Sequence, residues 1–551
     1  MTRWSSSSLS VPALGFAFLA LALPARAADH YVDVVRGNDA NDGATPATAW
    51  KTITHAIGVL PHVEGDATEV IHVAPGTYSL ASGESFPLRP KRRFQVVGQP
   101  GGARPRIDGE GTTSPLFLFA LICHLGGNDA DPDTRIEGLE LVNAGYGVQT
   151  QRSCGPQEPT LVNLLVQDML VAGIAAGDTS AGSSVTWVGL RLQGVEIRRC
   201  PIGFQLVNDI DICVGPSYAW LDDCVISECS SIGVHLANGG GGVSFRARRT
   251  RVERNAEGVR TEQPLHVGSC TALYLDSTWE DCSISGNATH GLELKPNTFV
   301  LASAPTTTTL TRCTIASNGG IGVIAIASGA HGAVPTTLTG CIVHGNADDL
   351  IEDPGLPGFV SVSYCDIGDG DFAGANGNFS ADPLFRAPAA GDWRLAFGSP
   401  CIDAGDPATP LGVLDLARTA RPVDGDLDAL ERADIGALEF TPLEAGPAHV
   451  GVPLSLWIWG PAGGGAILAG TRDGLLAVPR STPFGQFDLG GDVVRLGRYT
   501  VGSGPPALVT LPLSSNPGLI GRSISFQARI ASTVAVPDAA WSNAATVIVA
   551  P

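Results

Sequence analysis

Charged residues of alternating sign recur at one position of a repeating phrase in the middle of this chain. Asp223, Arg249, Asp281 and Arg312 stand directly before a recurrent Cys or Thr position. Asp222, Arg248 and Glu280 occupy the position before that. Two chemistries fit such a set. A lyase acting on a uronate neutralises the carboxylate with a cation or an arginine, then removes the carbon-bound proton with a base. Asp222, Asp223, Glu280 and Asp281 could hold Ca²⁺, which prefers oxygen ligands. Arg248 or Arg249 could neutralise the uronate, or take the proton if its pKa were depressed. A hydrolase instead needs two carboxyls roughly 5–9.5 Å apart. Asp223 and Asp281, two repeats apart, would be separated by about 9.6 Å if repeats stack at the strand spacing. The competing reading is structural: opposite charges on neighbouring strands pair and avoid like-charge contact, each exposed pair contributing about 0–1 kcal/mol.

A second set is Asp424, Asp426, Asp428 and Asp434. Alternate aspartates in a loop suit Ca²⁺, although the spacing is not that of an EF-hand. A third acidic run, Asp348, Asp349, Glu352 and Asp353, reads as a solvated loop. The histidines show no metal-ligand spacing, and no hydrolase elbow, Walker or dinucleotide motif is present.

The elements that carry these residues follow from the repeat itself. The phrase runs Cys-x-Ile-x-x-Asn-x-x-x-Gly-Val, as in Cys282 to Leu292 and Cys313 to Val323. Its Asn position falls at 143, 169, 200, 229, 255, 287, 318 and 346, a period diagnostic of a solenoid. Ile197, Ile226, Val252, Ile284, Ile315 and Val343 form an inward column. Val234, Val259, Leu292 and Val323 form another. Each repeat is then strand, tight bend, strand and variable loop, pairing in parallel with the next. A leucine-rich repeat is disfavoured because its leucine spacing is absent and no helix fits the period.

Trp50, Ile53, Ile57 and Leu60 recur at helical spacing, so the segment from Thr48 to Leu60 is expected to cover the open sheet edge at the N-terminal end. Cys224, Cys282, Cys313 and Cys341 share one column and read as a buried ladder of free thiols, because side chains pointing the same way form disulfides poorly. Cys123 and Cys154 could pair, whereas a bond between Cys213 and Cys270 is doubtful.

Residues 1–27 have the charged start, short apolar run and Ala-Arg-Ala end of a secretory signal, which places the mature chain outside the cell or at its surface. The net charge of −20 argues against nucleic acid. No later apolar run is long enough for membrane insertion. Residues 28–115 are expected to form the cap and first rungs, 116–385 the coil, 386–442 an Asp-rich closing module, and 443–551 a small β-sandwich.

Tyr31-Val32-Asp33, Gly37-Asn38-Asp39, Trp50-Lys51-Thr52-Ile53 and Val73-Ala74-Pro75-Gly76-Thr77-Tyr78 resemble the opening module of secreted bacterial right-handed β-helix proteins of the pectate-lyase-like superfamily. The resemblance implies an all-β, right-handed parallel β-helix. It does not fix an activity, since the superfamily includes lyases, hydrolases, epimerases and non-enzymes. Asp382-Pro383-Leu384-Phe385, Gly398-Ser399-Pro400-Cys401-Ile402-Asp403-Ala404-Gly405 and Asp434-Ile435-Gly436-Ala437-Leu438-Glu439 resemble the terminal module of choice-of-anchor Q proteins. That likeness implies a structural calcium.

The expected function is engagement of an extracellular or cell-surface polysaccharide, with binding favoured over cleavage. The alternatives are a polysaccharide lyase or hydrolase, and a structural or adhesive surface protein. Trp220, Trp279 and Tyr274 are the aromatic residues expected to lie flat for sugar stacking if the protein binds.

Overall fold

The computed structural model describes residues 28–61, 68–119, 134–150, 158–178, 188–208, 216–239, 242–262, 274–295, 307–325, 335–352, 359–428, 430–461, 463–501, 506–531 and 539–551. The expected signal segment, Asp353, and Cys123, Cys154, Cys213 and Cys270 lie outside these residues.

The period-long phrase folds as three strands per turn. One turn comprises Ser217–Asp222, Val225–Ser227 and Ile232–Asn238. The next comprises Gly242–Arg248, Arg251–Glu253 and Glu257–Glu262. Equivalent strands pair in parallel, for example Leu221 with Ala247 and Val234 with Val259. The first strands of the turns build a 12-stranded sheet, and the other two sets merge into an 18-stranded sheet. Three strands per turn without an intervening helix exclude a leucine-rich repeat.

Period-two alternation sends one side of every strand inward. Ile226, Val252, Ile284, Ile315 and Val343 are fully buried, as are Val234, Val259, Leu292 and Val323. The same alternation overturns one expectation. Glu280 faces outward, so Trp279 must face inward. It is fully buried beside Phe245, with ring centroids 5.0 Å apart, and is unavailable to a sugar.

Two corners per turn require left-handed backbone. Asp223, Arg249, Asp281 and Arg312 occupy the first, with φ of 56°, 47°, 52° and 51°. Glu228, Arg254, Gly286 and Ser317 occupy the second, one residue before the Asn column. Asn255, Asn287, Asn318 and Asn346 are not themselves left-handed. Their role is the ladder. Asn255 donates Nδ2 to Asn287 Oδ1 at 3.1 Å, and Asn287 donates Nδ2 to Asn318 Oδ1 at 2.9 Å. In the earliest repeat the register places Ala144, not Asn143, in this column; Asn143 is the left-handed corner residue (φ 54°).

The ladder ends on an acidic side chain. Asn346 donates its backbone N–H and Nδ2 to Asp349 Oδ1 at 3.0 and 2.8 Å. Asp349 is buried within the strand Asp348–Glu352. The expected solvated acidic loop is thus a strand that terminates the amide ladder.

The cysteine column is buried and free of disulfides, and it extends beyond the expected members to Cys365. Cys313 N–H lies 3.4 Å from Cys341 Sγ, and Cys341 N–H 3.3 Å from Cys365 Sγ. In the repeat lacking Cys, the Thr250 hydroxyl donates to Arg248 O.

The helix Ile53–Val59 lies at the N-terminal end with Ile53, Ala56 and Ile57 buried. Thr52 caps it, and Glu84 accepts the Ile53 and Thr54 N–H groups at 2.7 and 2.8 Å. The last residues form antiparallel sheets. Leu454, Leu456 and Val509 of one pack against Leu468, Phe526 and Ile530 of another in a separate core.

Candidate functional site

The outer surface of the 12-stranded sheet carries three parallel columns of side chains. In the first, register places Arg191, Trp220, Arg246, Thr278, Thr309, Thr337 and Ser361 side by side on successive strands. Trp220 is 40% exposed. The Arg191 guanidinium carbon lies 3.9 Å from its ring centroid, a cation–π distance. Tyr218, two residues earlier, is tilted against Trp220 with centroids 5.6 Å apart. A shallow cleft of about 500 Å³ opens here, with Gln193, Arg246 and Arg248 among its walls. Beyond Arg246 the column becomes a strip of hydroxyls, one per strand.

The second column contains Asp222, Arg248 and Glu280 in direct register. The third contains the corner residues Asp223, Arg249, Asp281 and Arg312. The structure brings all six expected catalytic residues together, but each faces a partner. Arg248 Nη2 donates to Asp222 at 2.8 Å, and Arg246 Nη2 donates to Glu280 at 2.9 Å. Arg249 donates to Asp223 at 2.8 Å and to Asp222 at 2.6 Å. Arg312 donates to both oxygens of Asp281, at 2.8 and 3.0 Å. These pairs change the acid–base picture. Hydrogen bonding to Asp222 pushes the Arg248 pKa up, and Asp223 does the same for Arg249. A depressed arginine pKa, which a base role requires, is the opposite of what this environment produces.

The closing module adds a layer over the corner. Arg418 donates to Asp223, and the fully buried Arg421 lies 3.6 Å from Asp281, which is fully buried too. The ladder expected at the surface is therefore partly covered. A cleft of about 490 Å³ persists between Arg248, Arg249, Glu280 and Arg312 on one side and the segment around Val413 on the other.

The aspartates of the closing module are sorted differently from their spacing. Asp424 and Asp426 group with Asp403, with one carboxylate oxygen of each within 4.8 Å of the others. Asp434 is instead buried, accepting the N–H groups of Asp403 and Phe440. Asp428 turns to Arg432 at 3.3 Å. The three grouped carboxylates are an all-oxygen donor set, which fits a hard divalent cation. Burial, with Asp426 and Asp424 nearby, pushes the Asp403 pKa up to about 7.

One cluster was not anticipated. Arg260 hydrogen-bonds Glu257 and lies 3.5 Å from Glu262 and 3.6 Å from Glu293, with His235 beside it in register. Its signal was available: His235, Arg260 and Glu293 each follow the inward Val or Leu by one residue. Tyr274, the third aromatic candidate, is partly buried at the start of its strand.

A family model agrees with the architecture of the coil. Residues 146–367 match the family model described as right handed beta helix region. Residues 35–112 match a family described as a protein of unknown function (DUF1565). No curated protein matches the chain. Among solved structures, the native GH136 lacto-N-biosidase from Eubacterium ramulus is 12% identical, over 61% of this chain and 67% of that one, with a TM-score of 0.30. The tailspike protein of Acinetobacter phage vB_ApiP_P1 is 10% identical, over 89% and 87%, with a TM-score of 0.33. The coil and the family match define an all-β, right-handed parallel β-helix protein. The DUF1565 match covers its N-terminal cap and first turns. Among the described residues no helix is long and apolar enough to cross a membrane.

Proposed function

We propose that this protein binds an extended polysaccharide outside the cell, along the outer surface of the 12-stranded sheet. The observation that carries the reading is Trp220, exposed between Arg191 and Arg246 at the head of a row of hydroxyls. An aromatic face supports a sugar ring, and arginines beside it supply donors to hydroxyl or carboxylate oxygens. Thr278, Thr309, Thr337 and Ser361 repeat at the strand spacing of about 4.8 Å, so a chain laid across the strands meets a hydroxyl at each step.

Binding is favoured over cleavage because the ladder's acids and bases are paired with one another. The second reading, a lyase or hydrolase, rests on the cleft between Arg248, Arg249, Glu280 and the segment around Val413. A structural or adhesive role would need neither surface. In this reading Ca²⁺ is structural, held by Asp403, Asp424 and Asp426, where it would offset three converging negative charges. The test is a panel of neutral and anionic polysaccharides, scored for binding, for unsaturated uronate products and for new reducing ends. Binding without products supports this reading; either product supports the second.

A further inference from the structure

A cleft of about 630 Å³ separates the closing module from the C-terminal sheets, far along the chain from Trp220. We propose that it is a second binding site, selective for a sugar carrying a free amine. Its size is that of a small-ligand pocket. Three acidic residues, Asp424, Glu431 and Asp488, line it, and among the described residues no Lys, Arg or His does. Asp424 belongs to the cation cluster described above, so the case rests on the other two.

Glu431 has no hydrogen-bond or ion-pair partner among the described residues, and Asp488 has no cationic one. Burial, and then the nearby Asp488 carboxyl, push the Glu431 pKa up. Arg529, in register with Trp541 on the neighbouring strand, stacks over Phe484, at 4.0 Å from its ring centroid. Two uncompensated carboxylates in one cleft favour a ligand that brings positive charge. The remaining walls suit a ring-shaped body: Trp541 offers an aromatic surface, while Leu430 and Leu475 are 56% and 49% exposed at the edge.

The floor is rigidly built. Gln527 is fully buried and donates Nε2 to Gln486 O and Ser542 O, both at 2.9 Å. The same amide donates to Asp488 Oδ2 at 3.2 Å, while its Oε1 accepts the Asp488 N–H at 2.9 Å. This network fixes Asp488 from below and leaves its carboxylate at the cleft wall.

The experiment is calorimetric titration of the full chain with the β-1,4 dimer of glucosamine and with cellobiose, which shares its rings and lacks its amines. The amino sugar is expected to bind at least tenfold more tightly. Glu431→Gln, at an exposed position, should weaken it by about tenfold, and Asp488→Asn should do the same. Trp220→Ala should leave it unchanged, which separates this site from the sheet surface. Equal affinity for the two dimers, no binding of either, or insensitivity to both carboxyl variants would overturn the proposal. Loss of amino-sugar binding in Trp220→Ala would overturn it too, by moving the amine to the sheet.

Discussion

Arg418 of the closing module donates to Asp223 at 2.5 Å, joining residues 195 positions apart. Asp223 also accepts from Arg249, so one carboxylate links two stacked turns to the module that closes over them. Three residues further on, Arg421 sits between Asp281 of the coil and Glu439 of the module, with all three side chains fully buried. The charge ladder thus serves as a clasp.

Breaking the clasp at its buried member should be costly. Arg421 donates to Glu439 at 2.9 Å and to the carbonyls of Asp434 and Gly436 at 3.0 and 2.7 Å. Arg421→Ala leaves Glu439 without its cation and the two carbonyls without a donor at a buried site, while Asp281 keeps Arg312. The expected loss is about 3–5 kcal/mol, read by chemical denaturation. Limited proteolysis should show the closing module cut before the coil.

The exposed member should give the clasp an acid limit. Burial pushes the Asp223 pKa up, but Arg249 and then Arg418 more than offset this and hold it below its ordinary 3.8. A depressed native pKa means the unfolded state takes up protons first. The contribution is therefore complete above pH 3.8 and is lost as pH falls through the lower native value. Thermal melts across that range should show the loss in the wild type, and a smaller one in Arg418→Ala.

The thiols should be inert. Burial raises the pKa of Cys200 to about 11 and that of Cys224 and Cys229 to about 12, which removes the reactive thiolate at neutral pH. A thiol reagent should leave the eight described cysteines unmodified until the coil unfolds, as counted by mass spectrometry of peptides. Labelling of any of them in the native state would contradict the buried column.

Much of this coil was legible from the sequence because stacking repeats the same environment in every turn. The inward Ile and Val columns, the thiol column and the cap helix follow from period and alternation alone. Where the reading slipped, the missing information was usually local geometry. Strict alternation next to outward Glu280 would have turned Trp279 inward. The left-handed corner lies one residue before the Asn column, because the amide must point along the ladder while another residue makes the bend. The candidate site was only half legible. The sign pattern shows that Asp223 and Arg249 can meet, but nothing in the repeat shows that Arg418 returns to Asp223 from 195 residues away, or Arg421 to Asp281. Asp403 likewise reaches Asp424 and Asp426 only through tertiary folding, which spacing within a loop cannot reveal.

The aspartate cluster gives a metal-dependent prediction. Calcium should raise the melting temperature of the closing module, and a chelator should reverse the gain. Asp403→Asn should abolish the response, whereas Asp428→Asn should retain it, because Asp428 faces Arg432. An unchanged transition on adding calcium and then chelator would count against a cation at this position.

The most direct test of the central claim is polysaccharide binding by wild-type protein and by Trp220→Ala, measured on a glycan array and confirmed by titration with the best ligand. The ring is exposed, so its removal should leave the fold intact. The account predicts that the wild type binds a polysaccharide without cleaving it, and that Trp220→Ala weakens binding at least tenfold with an unchanged melting temperature. Equal binding by the two proteins would contradict a site on the 12-stranded sheet.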